Sequence, residues 1–152
     1  MIIRSKIFYV LVLFAVASHE LFWHLLLFRY VDVDKISVAI TIVQFVFTAA
    51  FIYLYYLFEN HHRNNVANKA VARAFTVLLL LYLIGAAIPF IVNVIMLLNF
   101  KVPDYVIAVI QIPFLVRIVP YLNPGLYLII LTIILLFISD RIKVTSKPKS
   151  WD

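Results

Sequence analysis

The chain has 152 residues, enough for one domain; 66% of them are hydrophobic and 13% are charged. A soluble domain is about 45–50% apolar and about 25% charged, so a soluble fold of this chain would expose a large apolar surface to water. The composition therefore indicates an integral membrane protein. The chain has no cysteine, which excludes disulfides, thiolate metal sites and covalently attached haem. The net charge of +6 does not indicate nucleic-acid binding, because the basic residues lie at the ends of apolar segments.

The first apolar segment, residues 7–28, is long enough to cross the hydrocarbon core of a bilayer. Two basic residues, Arg4 and Lys6, precede it, and residues 15–18 have the small side chains of a signal-peptide cleavage site. The apolar run continues for ten residues beyond that point. We therefore expect an uncleaved anchor helix.

Two further spans are predicted over residues 36–58 and 70–99. Residues 59–69 between them are the most polar stretch of the chain and are expected to form a link at the headgroup level. The third span exceeds the length that a bilayer requires, so it should tilt or project from the membrane. Pro89 lies inside this span and predicts a bend, because it leaves the carbonyl of Gly85 without its helical partner.

The last apolar region is divided by prolines. Asn123 followed by Pro124 is typical of an N-cap and a first helical residue, so the fourth span is predicted over residues 121–140. Residues 103–119 are expected to form a proline-broken helix that re-enters the membrane or lies in its interface. The predicted fold is thus an all-α integral membrane protein with four transmembrane helices in a single domain, residues 1–142. Residues 143–152 form a flexible basic tail.

Charge asymmetry favours four spans with both termini in the cytoplasm. In that topology nine basic residues are cytoplasmic and four are external, and basic residues accumulate in cytoplasmic segments. A fifth span would move the basic tail outside and remove the bias. We expect the cell membrane rather than an organelle as the location. The nine residues are Arg4, Lys6, Arg63, Lys69, Arg73, Arg141, Lys143, Lys147 and Lys149.

The strongest candidates for chemistry lie within the first span: His19, Glu20 and His24. Ionisable groups inside a bilayer are costly and usually face protein or water. Glu20 and His24 are four residues apart and share a helix face, whereas His19 and His24 point about 140° apart. These residues either hydrogen-bond to neighbouring helices and fix their packing, or they transfer protons or bind a metal or haem together with a partner chain.

Four more polar residues within or beside apolar segments are expected to support helix packing: Gln44, Asn93, Gln111 and Arg117. Arg117 either reaches the outer headgroups or pairs with Glu20. The group formed by His61, His62 and Arg63 is predicted to be a solvated turn that contacts lipid headgroups or a partner.

The chain contains no nucleophile–base pair, phosphate loop or metalloprotease motif, so no catalytic activity is expected from it alone. The main hypothesis is an accessory or structural subunit of a larger membrane complex, of an energy-transducing, respiratory type, associated with the lipid bilayer and other membrane subunits. A second hypothesis is a redox subunit that binds metal or haem through His19, Glu20 and His24 with a partner chain. A third is a small homo-oligomeric channel or transporter.

Overall fold

The computed structural model describes residues 5–27, 38–98, 101, 103 and 122–145, of which 93% are helical and none forms a strand. Four α-helices account for most of these residues: α1 (Ser5–Leu27), α2 (Val38–Leu57), α3 (Lys69–Leu97) and α4 (Pro124–Thr145). The predicted element 103–119, with Gln111 and Arg117, lies outside the described residues apart from Pro103, as does most of the predicted basic tail.

Three of the described helices are long and apolar enough to cross a membrane: α1, the α2 segment with its continuation, and α3. The apolar part of α4 that the structure describes, Pro124–Ile138, is shorter. The all-helical fold and its suitability for a bilayer are therefore confirmed, and a fourth span stays a prediction.

The segment between α2 and α3 is more helical than expected. In place of a loop from residue 59, the chain continues as a π-helical turn (Phe58–His62) and a 3-10 turn (Arg63–Asn65). Polar side chains bond back along the chain: Asn60 donates to the carbonyl of Tyr56, and Arg63 pairs with Glu59. Each of these bonds joins residues four apart, one helical turn, and provides a hydrogen-bond partner for a polar group. They therefore extend the helix beyond its apolar part.

Helix α3 begins where Asn68 caps it, since the Asn68 side-chain oxygen accepts hydrogen bonds from the backbone N–H groups of Ala70 and Val71. The helix continues through Pro89 to Leu97. Its length, 29 residues, agrees with the predicted excess over a single bilayer crossing.

One end of the bundle is marked by contacts between α1, α2 and α3. Phe8 of α1 stacks on Phe58 with ring centroids 6.0 Å apart, and Tyr9 meets Phe75 of α3 edge-on at 6.0 Å. Near the same end, Ile138 of α4 and Tyr9 line a cavity of about 100 Å³. The beginning of α1, the α2–α3 turn and the later part of α4 therefore lie together. We call this the basic end, because Lys6, Arg63, Lys69 and Arg73 belong to it.

Further from the basic end, the later part of α1 packs against the beginning of α4. Asn123, just before α4, bonds to Glu20 of α1, while Tyr82 of α3 bonds to His19. Helix α4 is thus antiparallel to α1, whereas α3 is parallel to α1. The apolar core between these levels consists mainly of Val12, Val16, Phe51, Leu54, Leu79, Ala86, Leu128 and Leu135.

Candidate functional site

The candidate site is a hydrogen-bonded network that crosses from α1 to α3 and α4. His19 is its centre and is 1% exposed. The indole Nε1–H of Trp23, one turn further along α1, donates to His19 Nε2 at 2.9 Å. The other ring nitrogen, Nδ1, lies 2.9 Å from the Tyr82 hydroxyl of α3. Both nitrogens of this imidazole therefore have partners inside the bundle.

The donors and acceptors fix the tautomer of the neutral His19 ring. An indole N–H can only donate, so His19 Nε2 must accept and the ring proton lies on Nδ1. Nδ1–H then donates to the Tyr82 oxygen, and the Tyr82 O–H donates to Glu20 Oε1 at 2.7 Å. The carbonyl of Val16 is a more distant acceptor for the same hydroxyl, at 3.4 Å. The result is one directed chain of bonds from Trp23 to Glu20.

The Glu20 carboxylate joins this chain to α4. Its Oε2 atom accepts from the side-chain amide of Asn123 at 3.2 Å. Asn123 in turn caps α4, because its Oδ1 accepts from the backbone N–H of Gly125 at 2.8 Å. The carboxylate therefore lies beside the N-terminus of α4, where the helix dipole favours negative charge. One acidic side chain of α1 thus bonds to two other helical segments.

Position 125 at the start of α4 lies so close to this carboxylate that any residue other than glycine would displace a neighbouring side chain. A Cβ atom at position 125 would lie 2.6 Å from Glu20 Oε1 and 2.9 Å from a ring carbon of Tyr82. Real Cβ atoms essentially never approach other atoms so closely. A side chain at position 125 would therefore displace the Glu20 carboxylate or the Tyr82 ring from the network.

The network lies well inside the bundle. Glu20 is 15 residues beyond Ser5, about 22 Å along α1 at 1.5 Å per residue, and Tyr82 is 13 residues beyond Lys69, about 20 Å along α3. Since a hydrocarbon core is about 30 Å thick, both residues lie within the length of a single apolar crossing. Aromatic rings surround His19: the rings of Phe47 and Phe51 are 4.9 and 5.3 Å from it.

The other candidates on α1 and at mid-span are placed differently. His24 is exposed on α1 whereas His19 is buried, in keeping with the angle between them.

Asn93 of α3 donates to Gln44 of α2 at 2.6 Å, and this bond joins the two helices of the α2–α3 hairpin. Among the residues that the structure describes, no three His, Asp or Glu side chains gather as a possible metal site. A metal site here would need ligands from elsewhere.

The group His61, His62 and Arg63 is divided by the π-helical turn. His61 is exposed and Arg63 is partly exposed, but His62 is buried and stacks on Phe8 with ring centroids 4.3 Å apart. The expectation of a solvated turn is therefore wrong for His62. The reason is that His62 follows the buried Phe58 by four residues and shares its helix face. The ring therefore lies in the bundle, where neither ring nitrogen has a hydrogen-bond partner in the described structure.

Tyr82 and Gly125 are the residues that sequence reasoning missed. The signal for Tyr82 is a phenol near the middle of an apolar span, far from the headgroup level where tyrosines usually lie. The signal for Gly125 is its position directly after the Asn123–Pro124 cap in a chain with only two glycines. The bond between Trp23 and His19 was not predicted either.

Comparison of the chain with models of protein families, with curated proteins and with solved structures gives no match.

Proposed function

We propose that this chain is a non-catalytic, structural subunit of a larger membrane complex. One observation carries the proposal: the polar groups of the candidate site bond to one another across helices of the same chain. His19 and Glu20 of α1 both bond to Tyr82 of α3, and Glu20 also bonds to Asn123 beside α4. Such bonds hold helices in one arrangement.

The proposal includes four spans with both termini in the cytoplasm. Support comes from the basic end, where the beginning of α1, the α2–α3 turn and the later part of α4 lie together. This is the arrangement that four crossings with both termini on one side would produce. Basic residues collect at that end, as they do on the cytoplasmic side of membrane proteins.

The outward faces of the helices support association with other membrane subunits. Large apolar side chains point outward along each described span, for example Phe14 of α1 at 71% exposed and Phe137 of α4 at 70%. Lipid tails or the helices of a partner can cover such faces equally well, since packing rather than water exclusion drives helix association in bilayers. We propose an energy-transducing, respiratory-type complex as the assembly that these faces contact.

Extraction of the chain from its native membrane with a mild detergent tests the proposal. We expect it to elute in an assembly several times its own mass of 17.6 kDa, with partner chains identified by mass spectrometry. A photo-reactive amino acid at position 14 or 137 should crosslink to those partners, and one at buried position 12 is the matched control. A monomer or a small homo-oligomer without other chains would refute the subunit proposal.

A second candidate function is a redox or proton-transfer subunit. The observation in its favour is that an imidazole and a carboxylate, both able to take up protons, are joined through a single tyrosine hydroxyl. Under this proposal His24 and a partner would supply the remaining ligands to a metal or haem. An absorbance spectrum and metal analysis of the purified complex test it, with His24→Ala as the variant that should lose the signal. An unchanged signal in His24→Ala would exclude that role.

The third candidate is a homo-oligomeric channel or transporter. Its test is ion or solute flux in proteoliposomes that contain this chain alone. Flux that disappears when Tyr82→Phe disturbs the network would favour it over the subunit proposal.

A further inference from the structure

The basic end of the bundle contains a cavity of about 560 Å³ that the proposed structural role does not use. Arg63 of the 3-10 turn and Lys69 and Arg73 of α3 line it, and Glu59 is the acidic residue among its lining side chains. With three basic groups and one acidic group, the lining carries a net charge of about +2 at neutral pH. Binding cavities for small molecules have volumes of about 300–1,000 Å³, so this one can hold more than a single ion.

The acidic residue of the cavity is already engaged. Glu59 Oε2 accepts from Arg63 at 2.5 Å, and its Oε1 accepts from the Thr76 hydroxyl at 2.6 Å. Within the described part of the chain no carboxylate forms an ion pair with Lys69 or Arg73. The uncompensated charge of the cavity therefore lies on α3.

The position of these two residues is electrostatically unfavourable for the helix itself. Lys69 is the first residue of α3 and Arg73 follows one turn later, so the two cations share a face. The N-terminus of a helix has a partial positive charge that favours acidic side chains, yet the first turn of α3 contains none. A bound anion would relieve both repulsions at once.

The level of the cavity identifies the source of the anion. Tyr53 and Tyr56, near the end of α2 and within two turns of Glu59, are exposed on the outer surface of the bundle. Tyrosines at the end of an apolar span lie at the headgroup level of a membrane. Basic pockets at this level on the cytoplasmic side recognise phosphate-bearing headgroups.

We infer that the cavity between the α2–α3 turn and the start of α3 binds the phosphate of an anionic phospholipid through Arg63, Lys69 and Arg73. Asn64, also in the lining, can donate a further hydrogen bond to the headgroup through its side-chain amide. Arg63 keeps its bond to Glu59 and contributes its remaining N–H groups, since a guanidinium has five. The site thus selects the lipid by charge and holds it beside the helix ends.

The test compares lipid binding to the purified full-length chain by native mass spectrometry, with phosphatidylglycerol as the anionic lipid and phosphatidylcholine as the zwitterionic one. The double variant Lys69→Gln/Arg73→Gln should bind phosphatidylglycerol about 30-fold more weakly, about five-fold for each basic group removed near an anionic headgroup. Lys69→Arg/Arg73→Lys should retain binding because it retains the charge. Lys6→Gln/Lys101→Gln removes the same charge outside the cavity and should change binding less than two-fold.

Inorganic phosphate added to the same samples distinguishes the two sources of a phosphate group. The proposal expects millimolar phosphate to leave phosphatidylglycerol bound. Displacement of the lipid by phosphate from the wild-type chain would instead assign the cavity to a soluble phosphate compound and overturn the lipid assignment. Equal loss of binding in Lys69→Gln/Arg73→Gln and in Lys6→Gln/Lys101→Gln would show attraction by overall charge alone, and would overturn the site.

Discussion

The two buried histidines offer a direct test of how polar groups determine the stability of this fold. His19 and His62 are each 1% exposed and each contacts aromatic rings. They differ in their hydrogen bonds: both nitrogens of His19 have partners, whereas neither nitrogen of His62 has one among the residues that the structure describes. The same substitution, His→Phe, should therefore change the free energy of unfolding in opposite directions at the two positions.

At position 62 the substitution removes two buried polar atoms that bond to nothing in the described structure. A buried unsatisfied group costs about 1–3 kcal/mol, and phenylalanine preserves the flat ring that stacks on Phe8. The larger phenyl ring offsets part of this gain by overpacking, which costs about 1–3 kcal/mol in a well-packed core. We expect His62→Phe to raise the free energy of unfolding by about 1 kcal/mol.

At position 19 the substitution breaks two hydrogen bonds and removes the His19 acceptor of the buried Trp23 indole N–H. The Tyr82 hydroxyl loses its donor but retains its bond to Glu20. With about 1–3 kcal/mol for the lost acceptor of the indole and about 1 kcal/mol for the second bond, His19→Phe should lower the free energy of unfolding by about 2–4 kcal/mol.

Reversible unfolding in mixed micelles measures both effects. Helical circular dichroism is the better signal, because the fluorescence of Trp23 responds directly to changes at position 19. The exposed residue His61 provides the control: His61→Phe should change the free energy of unfolding by less than about 0.5 kcal/mol. Equal destabilisation by His19→Phe and His62→Phe would contradict this prediction, because burial alone would then account for both results.

The two glycines and the amide pair give further predictions. Gly125→Ala should lower the free energy of unfolding by about 1–3 kcal/mol through overpacking. Gly85→Ala should raise it by up to about 1 kcal/mol, because its Cβ would meet nothing within 4 Å. Thermal unfolding compares the two variants, and equal shifts in melting temperature would contradict the difference in packing. A double-mutant cycle with Gln44→Leu and Asn93→Leu should give a coupling energy of about 0.6–1.7 kcal/mol, and a value near zero would mean that their 2.6 Å hydrogen bond does not stabilise the hairpin.

The helix bounds could be predicted closely because they depend on local features. The first and third spans, predicted over residues 7–28 and 70–99, are observed as Ser5–Leu27 and Lys69–Leu97. Long apolar runs and the polar residues that flank them determine these limits. The N-cap by Asn123 was also predictable, since it depends on two adjacent residues and the start of one helix.

The contacts of the candidate site could not be predicted, because they depend on which helices pack together. Tyr82 and His19 are 63 residues apart, and Asn123 and Glu20 are 103 apart. Periodicity in α1 shows that His19 and His24 point in different directions, but it does not show which of them faces the bundle. The nearly uniform hydrophobicity around these helices removes the polar face that would decide this in a soluble protein.

The π-helical turn shows a different limit. The sequence of residues 59–65 is polar enough to predict a link, and the turn is stabilised by side-chain bonds such as that between Arg63 and Glu59. Helical structure therefore continues where a loop was expected, and adjacent residues of a helix point in different directions. His62 shares the buried face of Phe58, four residues earlier, whereas His61 is exposed, a difference between identical residues that composition cannot predict.

The structural and proton-transfer proposals place opposite demands on Trp23. The neutral His19 ring accepts from the indole, whereas a protonated ring has two N–H donors and no acceptor. Protonation of His19 would add a proton to Nε2, so that two donors, His19 Nε2–H and Trp23 Nε1–H, would oppose each other at a distance of 2.9 Å. The hydrogen bonds of the network match a neutral imidazole, and a protonated one would require Trp23 to move away. This mismatch favours the proposed structural role over proton transfer.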